Sequence, residues 1–358
     1  MQLQETVMDN AIVSSLKVEK DKIYSIEFLR IFFVFFIIVG HVMQVYPEIK
    51  DKIYSFLHST MVPTWFCVEY YSIIGGFLIY RNFRQEGGLF DKIKHIYARL
   101  APTVLFLYFI AFLSGIVSIK FLVTVLTMTQ GMSIPIADAI GWGDWFVGAY
   151  FWAACICLSL LYYFKDKAFL YTLPLMYICL VMQYHTGYPG WMKAYHNIIG
   201  TEFLRVLQCM GLGLVCGFLS KNLYFSKKKL AILVFSFLEC VSIFYCFRKI
   251  FHGNSVDYLM ALLWCGVFLI LSSHCAGYLS ALLNKIRKVT FFSKYCWNVF
   301  IGHAYILTLL KDKSNFGLGN TTCACIVLVG AIIVGILEYH LIENRFVPWI
   351  IKYFKNGG

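Results

Sequence analysis

The first long apolar run of this chain, Tyr24-Ser-Ile-Glu-Phe-Leu-Arg-Ile-Phe-Phe-Val-Phe-Phe-Ile-Ile-Val-Gly-His41, holds three groups that can carry charge: Glu27, Arg30 and His41. On a helix turning about 100° per residue, Arg30 and His41 stand within about 20° of the same face and about 16 Å apart along the axis. Glu27 precedes Arg30 by one turn, on nearly that face. An ionisable group inside a membrane helix costs several kcal/mol unless it is paired or faces water, so each marks a functional candidate. A guanidinium suits phosphates or a developing oxyanion. An imidazole, with an ordinary pKa of about 6.5, exchanges a proton near working pH. The competing reading has Arg30 snorkelling to lipid phosphates and His41 standing at the interface. The shared face weighs against it.

The second run, Cys67-Val-Glu-Tyr-Tyr-Ser-Ile-Ile-Gly-Gly-Phe-Leu-Ile79, places Glu69 among apolar neighbours, where it needs a donor. Gly75 and Gly76 permit close helix approach. A basic loop follows, with Arg81, Arg84, Lys92, Lys94, His95 and Arg99 ahead of Pro102. Such a loop marks membrane topology, and it also suits the phosphates of a nucleotide-bearing cofactor, which arginine grips through two parallel bonds. Weaker candidates are Glu202 with Arg205, a pair at i,i+3 spacing; His303; and Glu338, His340 and Glu343 near the C-terminus. Trp142 and Trp145 flank Asp144 in the manner of an interfacial aromatic belt.

These groups must be positioned by helices. Of 358 residues, 60% are hydrophobic and 14% charged, with mean hydropathy +0.70. That balance excludes an ordinary soluble domain and offers many stretches of the roughly 20 apolar residues that a crossing needs. Helices satisfy every backbone polar group within each segment. The expectation is an all-α, polytopic membrane protein of about ten transmembrane helices, at 28–46, 60–80, 97–118, 145–164, 168–184, 201–220, 230–250, 256–273, 292–310 and 321–342. Lys120 to Met128 reads as a short re-entrant or interfacial helix. A cytoplasmic tail over 1–25, a membrane domain over 26–345 and a cytoplasmic tail over 346–358 complete the organisation. The first 25 residues are polar and lack the pattern of a cleavable signal peptide. With the N-terminus inside, roughly 21 Lys and Arg fall on the cytoplasmic side and roughly 8 outside, so both termini are expected in the cytoplasm. The net charge of +12 is explained by those loops rather than by nucleic acid. The 13 cysteines show no paired metal spacing, and most read as small packing residues.

Taken in order, the motifs resemble acyltransferase family 3, the membrane acyltransferases that include O-acetyltransferases of bacterial surface polysaccharides. Ile26-Glu-Phe-Leu-Arg30 followed by His41 resembles the family's opening I-D-x-L-R and later His. Cys67 to Ile79 resembles its G-V-D-L-F-F-V-L-S-G-F-L-I stretch, with Glu69 at the Asp and Gly75 at the Ser. Arg99-Leu-Ala-Pro102 resembles R-I-x-P, Lys294 to His303 the S-Y-S-x-Y-L-x-H helix, and Tyr339-His-Leu-Ile-Glu343 the closing Y-x-x-I-E. Trp145-Phe-Val-Gly-Ala-Tyr150 departs from W-S-L-x-x-E, with no carboxylate at the last place. The resemblance implies a cell-membrane O-acyltransferase that takes an acyl group from cytoplasmic acetyl-CoA, or another acyl-CoA, to a hydroxyl of an extracytoplasmic glycan, without metal. On that basis His41 is the expected general base or acyl-carrying nucleophile. Arg30 would steady donor phosphates or the oxyanion, and Glu69 would orient His41 or pair with Arg30. Arg81, Arg84 and Arg99, with Arg30, would hold coenzyme A. A secondary transporter or flippase fits the intramembrane charges too, although the chain shows neither inverted repeats nor paired broken helices. A non-catalytic scaffold would consume no thioester.

Overall fold

Continuous apolar sequence makes Tyr24–Val45 a helix, α1, with no side-chain cap at its start; in a bilayer the alternative would leave backbone groups unbonded. The computed structural model describes residues 23–46, 48–49, 51, 66–130, 144–185, 194–195, 199–251, 258–286, 288–310 and 318–349. Trp142, residues 1–22 of the expected N-terminal tail and residues 350–358 of the expected C-terminal tail lie outside them. The further helices are α2 (Phe66–Asn82), α3 (Leu89–Leu113), α4 (Ile119–Leu126), α5 (Asp144–Phe164), α6 (Ala168–His185), α7 (Thr201–Asn222), α8 (Lys229–Phe251), α9 (Tyr258–Ser273), α10 (Tyr278–Leu283), α11 (Cys296–Leu310) and α12 (Asn320–Glu338). Among the described residues, strand is confined to an antiparallel pair, Ala194–Tyr195 with Ile199–Gly200.

The all-α membrane reading is borne out. A helix lies on every segment expected to span. Among the described residues, six helical stretches are by themselves long and apolar enough to cross: Tyr24–Val45, Leu89–Leu113, Trp145–His185, Thr201–Asn222, Lys229–Arg248 and Asn320–Trp349. The fourth-and-fifth-span stretch breaks at Lys165, whose φ of 53° ends α5 before α6 begins. Outward faces are apolar, with Phe106 and Phe109 on α3, Phe237 and Phe244 on α8, and Ile332 and Ile333 on α12 all exposed. Bare apolar surface on this scale belongs against lipid.

Helix α7 is the axis, buried at nearly every residue from Thr201 to Gly217. Its tightest neighbour is α2. A Cβ on Gly76 would fall on the Met210 carbonyl oxygen, and one on Gly213 on the Ile73 carbonyl oxygen, so these glycines let the two backbones touch. Helices α5, α6 and α9 also lean on α7, while α1 is wedged between α2 and α11.

Two boundaries differ from the sequence reading. The basic stretch 81–99 is mostly not a loop: α3 begins at Leu89, with the Gly88 N–H donating to Asp91 Oδ2 at 3.3 Å. Pro102 therefore sits inside α3, not at its start. A proline near a basic stretch reads as a helix opening because its missing N–H costs nothing there; here, flanking helices tolerate it in mid-helix. Secondly, α12 does not stop near 342 but continues as π-helical turns over Tyr339–Phe346. Helix α4 is the short helix expected after Lys120. It folds back along α3, with the Tyr97 hydroxyl donating to the Leu126 carbonyl at 2.7 Å and Tyr108 packing on Phe121 at 5.0 Å.

Candidate active site

The α1 face carries its charges as its spacing requires. Arg30 Nη1 donates to Glu27 Oε2 at 3.0 Å, one turn back. Its Nη2 donates to the Tyr71 hydroxyl of α2 at 3.3 Å, and the guanidinium lies 5.7 Å from the Tyr71 ring centre. Arg30 lines a cavity of about 580 Å³ beneath the α2–α3 turn. Tyr71, Gly75, Tyr150 and Trp297 line it too, with Arg84, Lys92, His95 and Arg99 completing the basic share of its wall. Three of the four arginines that the sequence offers as phosphate ligands, Arg30, Arg84 and Arg99, thus reach one cavity. Arg81 does not. It lines a neighbouring cavity of about 540 Å³ with Lys165, Lys221 and His274, and Arg84 borders both. Lys94 is placed elsewhere, in an apolar groove with Phe90, over whose ring its Nζ lies at 4.6 Å.

Arg99 is also tied into the far end of the chain. Its Nε lies 3.9 Å from Glu343 Oε1 on the π-helical turns. Glu343 Oε2 accepts from Asn298 Nδ2 at 2.9 Å, and Asn298 Oδ1 accepts from the Thr103 hydroxyl at 3.2 Å. The wide turns therefore bring a carboxylate from α12's extension between α3 and α11.

His41 stands further along α1, half-buried, against α11. Its Nδ1 is 2.7 Å from His303 Nε2, and the two rings lie 12° from parallel with centres 5.0 Å apart. His303 is fully buried and its Nδ1 is hydrogen-bonded to the Phe300 carbonyl oxygen one turn back. Between the Arg30 cavity and this pair lies a layer of aromatic rings. Phe146 of α5 packs on Tyr71 at 6.3 Å, on Tyr150 at 5.5 Å and on Phe300 at 5.5 Å, and Phe300 packs on His303 at 5.4 Å. The sequence reading did not single out Tyr71, Tyr150, Trp297, Phe300 or Asn298 as site residues. In an apolar, aromatic-rich helix nothing local separates a ring that lines a cavity from one that faces lipid.

Glu69 has a different environment from the one expected. It lies on the face of α2 that meets α7 and α9. Its Oε1 accepts from Arg205 Nε at 2.8 Å, from Arg205 Nη2 at 2.5 Å and from the Tyr258 hydroxyl at 2.9 Å. Both charges are buried. The carboxylate offered to His41 or Arg30 is thus engaged by Arg205 and Tyr258. Arg205 Nε and Nη2 thus reach across the helix interface to Glu69. The glycine contacts that seat α2 on α7 supply the reason, since they set the two side chains face to face.

Among the weaker candidates, the His340 ring nitrogen Nε2 is 3.4 Å from the Tyr295 hydroxyl, and Glu338 is buried. Trp145 packs edge-on against Phe146 at 5.9 Å. The chemistry these placements allow is that of a cavity opening by the α2–α3 turn, its cations in excess over the carboxylates of Glu86 and Asp91, with Arg30 on its wall, and a hydrogen-bonded imidazole pair where α1 meets α11 further along. Residues 23–340 match the family model described as an acyltransferase domain. No curated protein and no solved structure matches the chain.

Proposed function

The chain belongs to acyltransferase family 3, and from that premise we propose that it is a membrane O-acyltransferase. In this reading it takes an acyl group, acetyl in the first instance, from cytoplasmic acyl-CoA to a hydroxyl of an extracytoplasmic glycan. The observation that carries it is the arrangement along α1: a cavity lined by Arg30, Arg84 and Arg99, and beyond it the His41–His303 pair. Guanidinium groups suit the phosphates of coenzyme A. A cavity of about 580 Å³ is within the ordinary range for a cofactor-sized ligand. The α2–α3 turn would face the cytoplasm, where the donor is made.

The chemistry assigned to the residues is as follows. His41 accepts the proton of the acceptor hydroxyl as that oxygen bonds to the thioester carbonyl carbon. Arg30, or a hydroxyl beside it, balances charge on the donor. Collapse of the tetrahedral adduct breaks the carbon–sulfur bond, releases the thiolate and leaves the ester; the proton held by His41 then returns to the thiolate or to water. A positioned base is worth about 100- to 10,000-fold in rate. A route through an acyl group carried on His41 has the same overall balance.

The test is direct. Purified protein in bilayers is incubated with acetyl-CoA and a hydroxyl-bearing glycan, and free thiol and ester are both measured. Stoichiometric thiol release and ester formation support the reading. Protein that binds or moves the glycan while the thioester stays intact would be a transporter, and the reading fails.

A further inference from the structure

We propose that α3 carries a binding site for one anionic phospholipid, with the acyl chains in an apolar groove and the phosphate at Lys94. The groove encloses about 1010 Å³ where α3, the folded-back α4 and the π-helical turns after α12 meet. That volume stands at the upper end of the ordinary range for ligand sites, about 300–1,000 Å³. Its walls include Leu105, Phe106 and Phe109 of α3, Leu122 and Leu126 of α4, and Leu341 of the π-helical turns. Several of these side chains are exposed, so the groove is open along its length. The hydroxyl of Tyr97, which also lines it, is engaged by the Leu126 carbonyl at 2.7 Å. Such a surface suits hydrocarbon and offers little to a polar ligand.

Lys94 departs from that pattern. Among the described lining residues it is the one charged side chain, and no carboxylate lies on the wall. It is exposed, with its Nζ 4.6 Å from the centre of the Phe90 ring, which also borders the groove. The cavity lined by Arg30 draws Lys92, His95 and Arg99 from another face of the same helix segment, so Lys94 belongs to the groove alone. A lysine whose stem lies on apolar surface while its ammonium stays at the rim matches an anionic head above hydrocarbon chains. Its depth agrees: Lys94 comes just before the apolar run expected to enter the bilayer at residue 97, at the level of headgroups. The length agrees too. The axis of α3 rises about 22 Å between Lys94 and Phe109, and one leaflet is half of a hydrocarbon core about 30 Å thick. A lipid held by its phosphate at Lys94 therefore keeps its chains against the groove to their ends. The site is separate from the proposed transfer reaction, and its failure would leave that reading untouched.

The test uses the full chain in phosphatidylcholine bilayers that contain a small share of phosphatidylglycerol with a photoactivatable group on one acyl chain. Cross-linked peptides are mapped by mass spectrometry after irradiation. Expected are cross-links concentrated on residues 98–109 of α3 and on α4, removed by excess unlabelled phosphatidylglycerol. Lys94→Ala should weaken that competition about fivefold, the attraction of about one lysine for an anionic lipid. Leu105→Trp fills the groove and leaves Lys94 in place, so it should remove the cross-links; Leu122→Trp does the same from α4 and serves if the first variant fails a melting test of folding. Cross-links spread evenly over α3, α8 and α12 would mean bulk lipid and overturn the proposal. Equal capture of a phosphatidylcholine probe would overturn it as well. Displacement by palmitoyl-CoA at lower concentration than by phosphatidylglycerol would give the groove to an acyl donor instead, and cross-links between two copies without lipid would make it a dimer interface; either refutes the lipid site.

Discussion

His41 and Arg30 were legible as a pair because their relation is local: eleven residues of one helix fix their face and their separation. The partner of His41 was not, since His303 comes to it from 262 positions away. The separation of the two residues along α1 makes their roles separable. His41→Ala is expected to abolish transfer and leave acetyl-CoA binding within a few-fold of wild type, while Arg30→Ala weakens both. Turnover per folded molecule, with donor affinity taken on the same sample, decides it; near-normal turnover in His41→Ala removes that histidine from the mechanism. A second pair shows how a departure from a motif is absorbed in space. Gly75 replaces a serine of the family pattern and Tyr150 a glutamate. A Cβ on Gly75 would lie 2.6 Å from the Tyr150 hydroxyl, so the missing side chain is the room the phenol occupies. Gly75→Ala should cost about 1–3 kcal/mol through overpacking. Adding Tyr150→Ala should recover part of that loss, a non-additivity that a cycle of melting temperatures measures. Additive losses would mean that the two positions do not share this space.

At the scale of elements, the helices were readable because a bilayer crossing forces long apolar segments, and the ends were readable only where capping chemistry is unambiguous. The start of α3 was misplaced because Pro102 and a run of cations imitate a loop boundary. The partner of Glu69 was beyond local rules: an i,i+3 reading relates Arg205 to Glu202 alone, and the close approach of α2 and α7 brings it to Glu69 as well. This pair is buried on both sides, so its worth is conditional. Removing one member leaves a charge without its counter-ion and costs about 3–5 kcal/mol, whereas replacing both by apolar groups is often near neutral. Glu69→Ala should therefore lower the melting temperature sharply and leave the Tyr258 hydroxyl without its acceptor. Glu69→Leu with Arg205→Met should restore most of the stability. If the double variant restores stability but not turnover, Glu69 has a part in the reaction beyond holding α2 on α7 and α9. If it restores both, the pair is structural and the carboxylate leaves the list of candidate catalytic groups.

For the molecule as a whole, membrane residence followed from composition alone, and the sidedness of the bilayer rests on the count of lysines and arginines, roughly 21 against roughly 8. The proposed reaction sets a second constraint on the same question. The cavity lined by Arg30, Arg84 and Arg99 opens by the α2–α3 turn, at the end of the bundle where α1 begins. A donor made in the cytoplasm can be used only if that end faces the cytoplasm. Residue count and the proposed reaction ask for the same orientation for different reasons, one concerning insertion and the other concerning supply. Reporters whose activity depends on compartment test both. A fusion after Gly358 and an insertion at Gly87, in the α2–α3 turn, are expected to read as cytoplasmic, and an insertion near Gly187 as external. A cytoplasmic turn with an external C-terminus would mean an odd number of crossings from α3 onward, α3 included, and the cavity would keep its access to the donor. An external turn is the more serious outcome, because the arginines would then face away from the compartment in which the proposed thioester donor is made. In that case the positive-inside count would have misled, and the site would have to work with an anionic substrate supplied from outside.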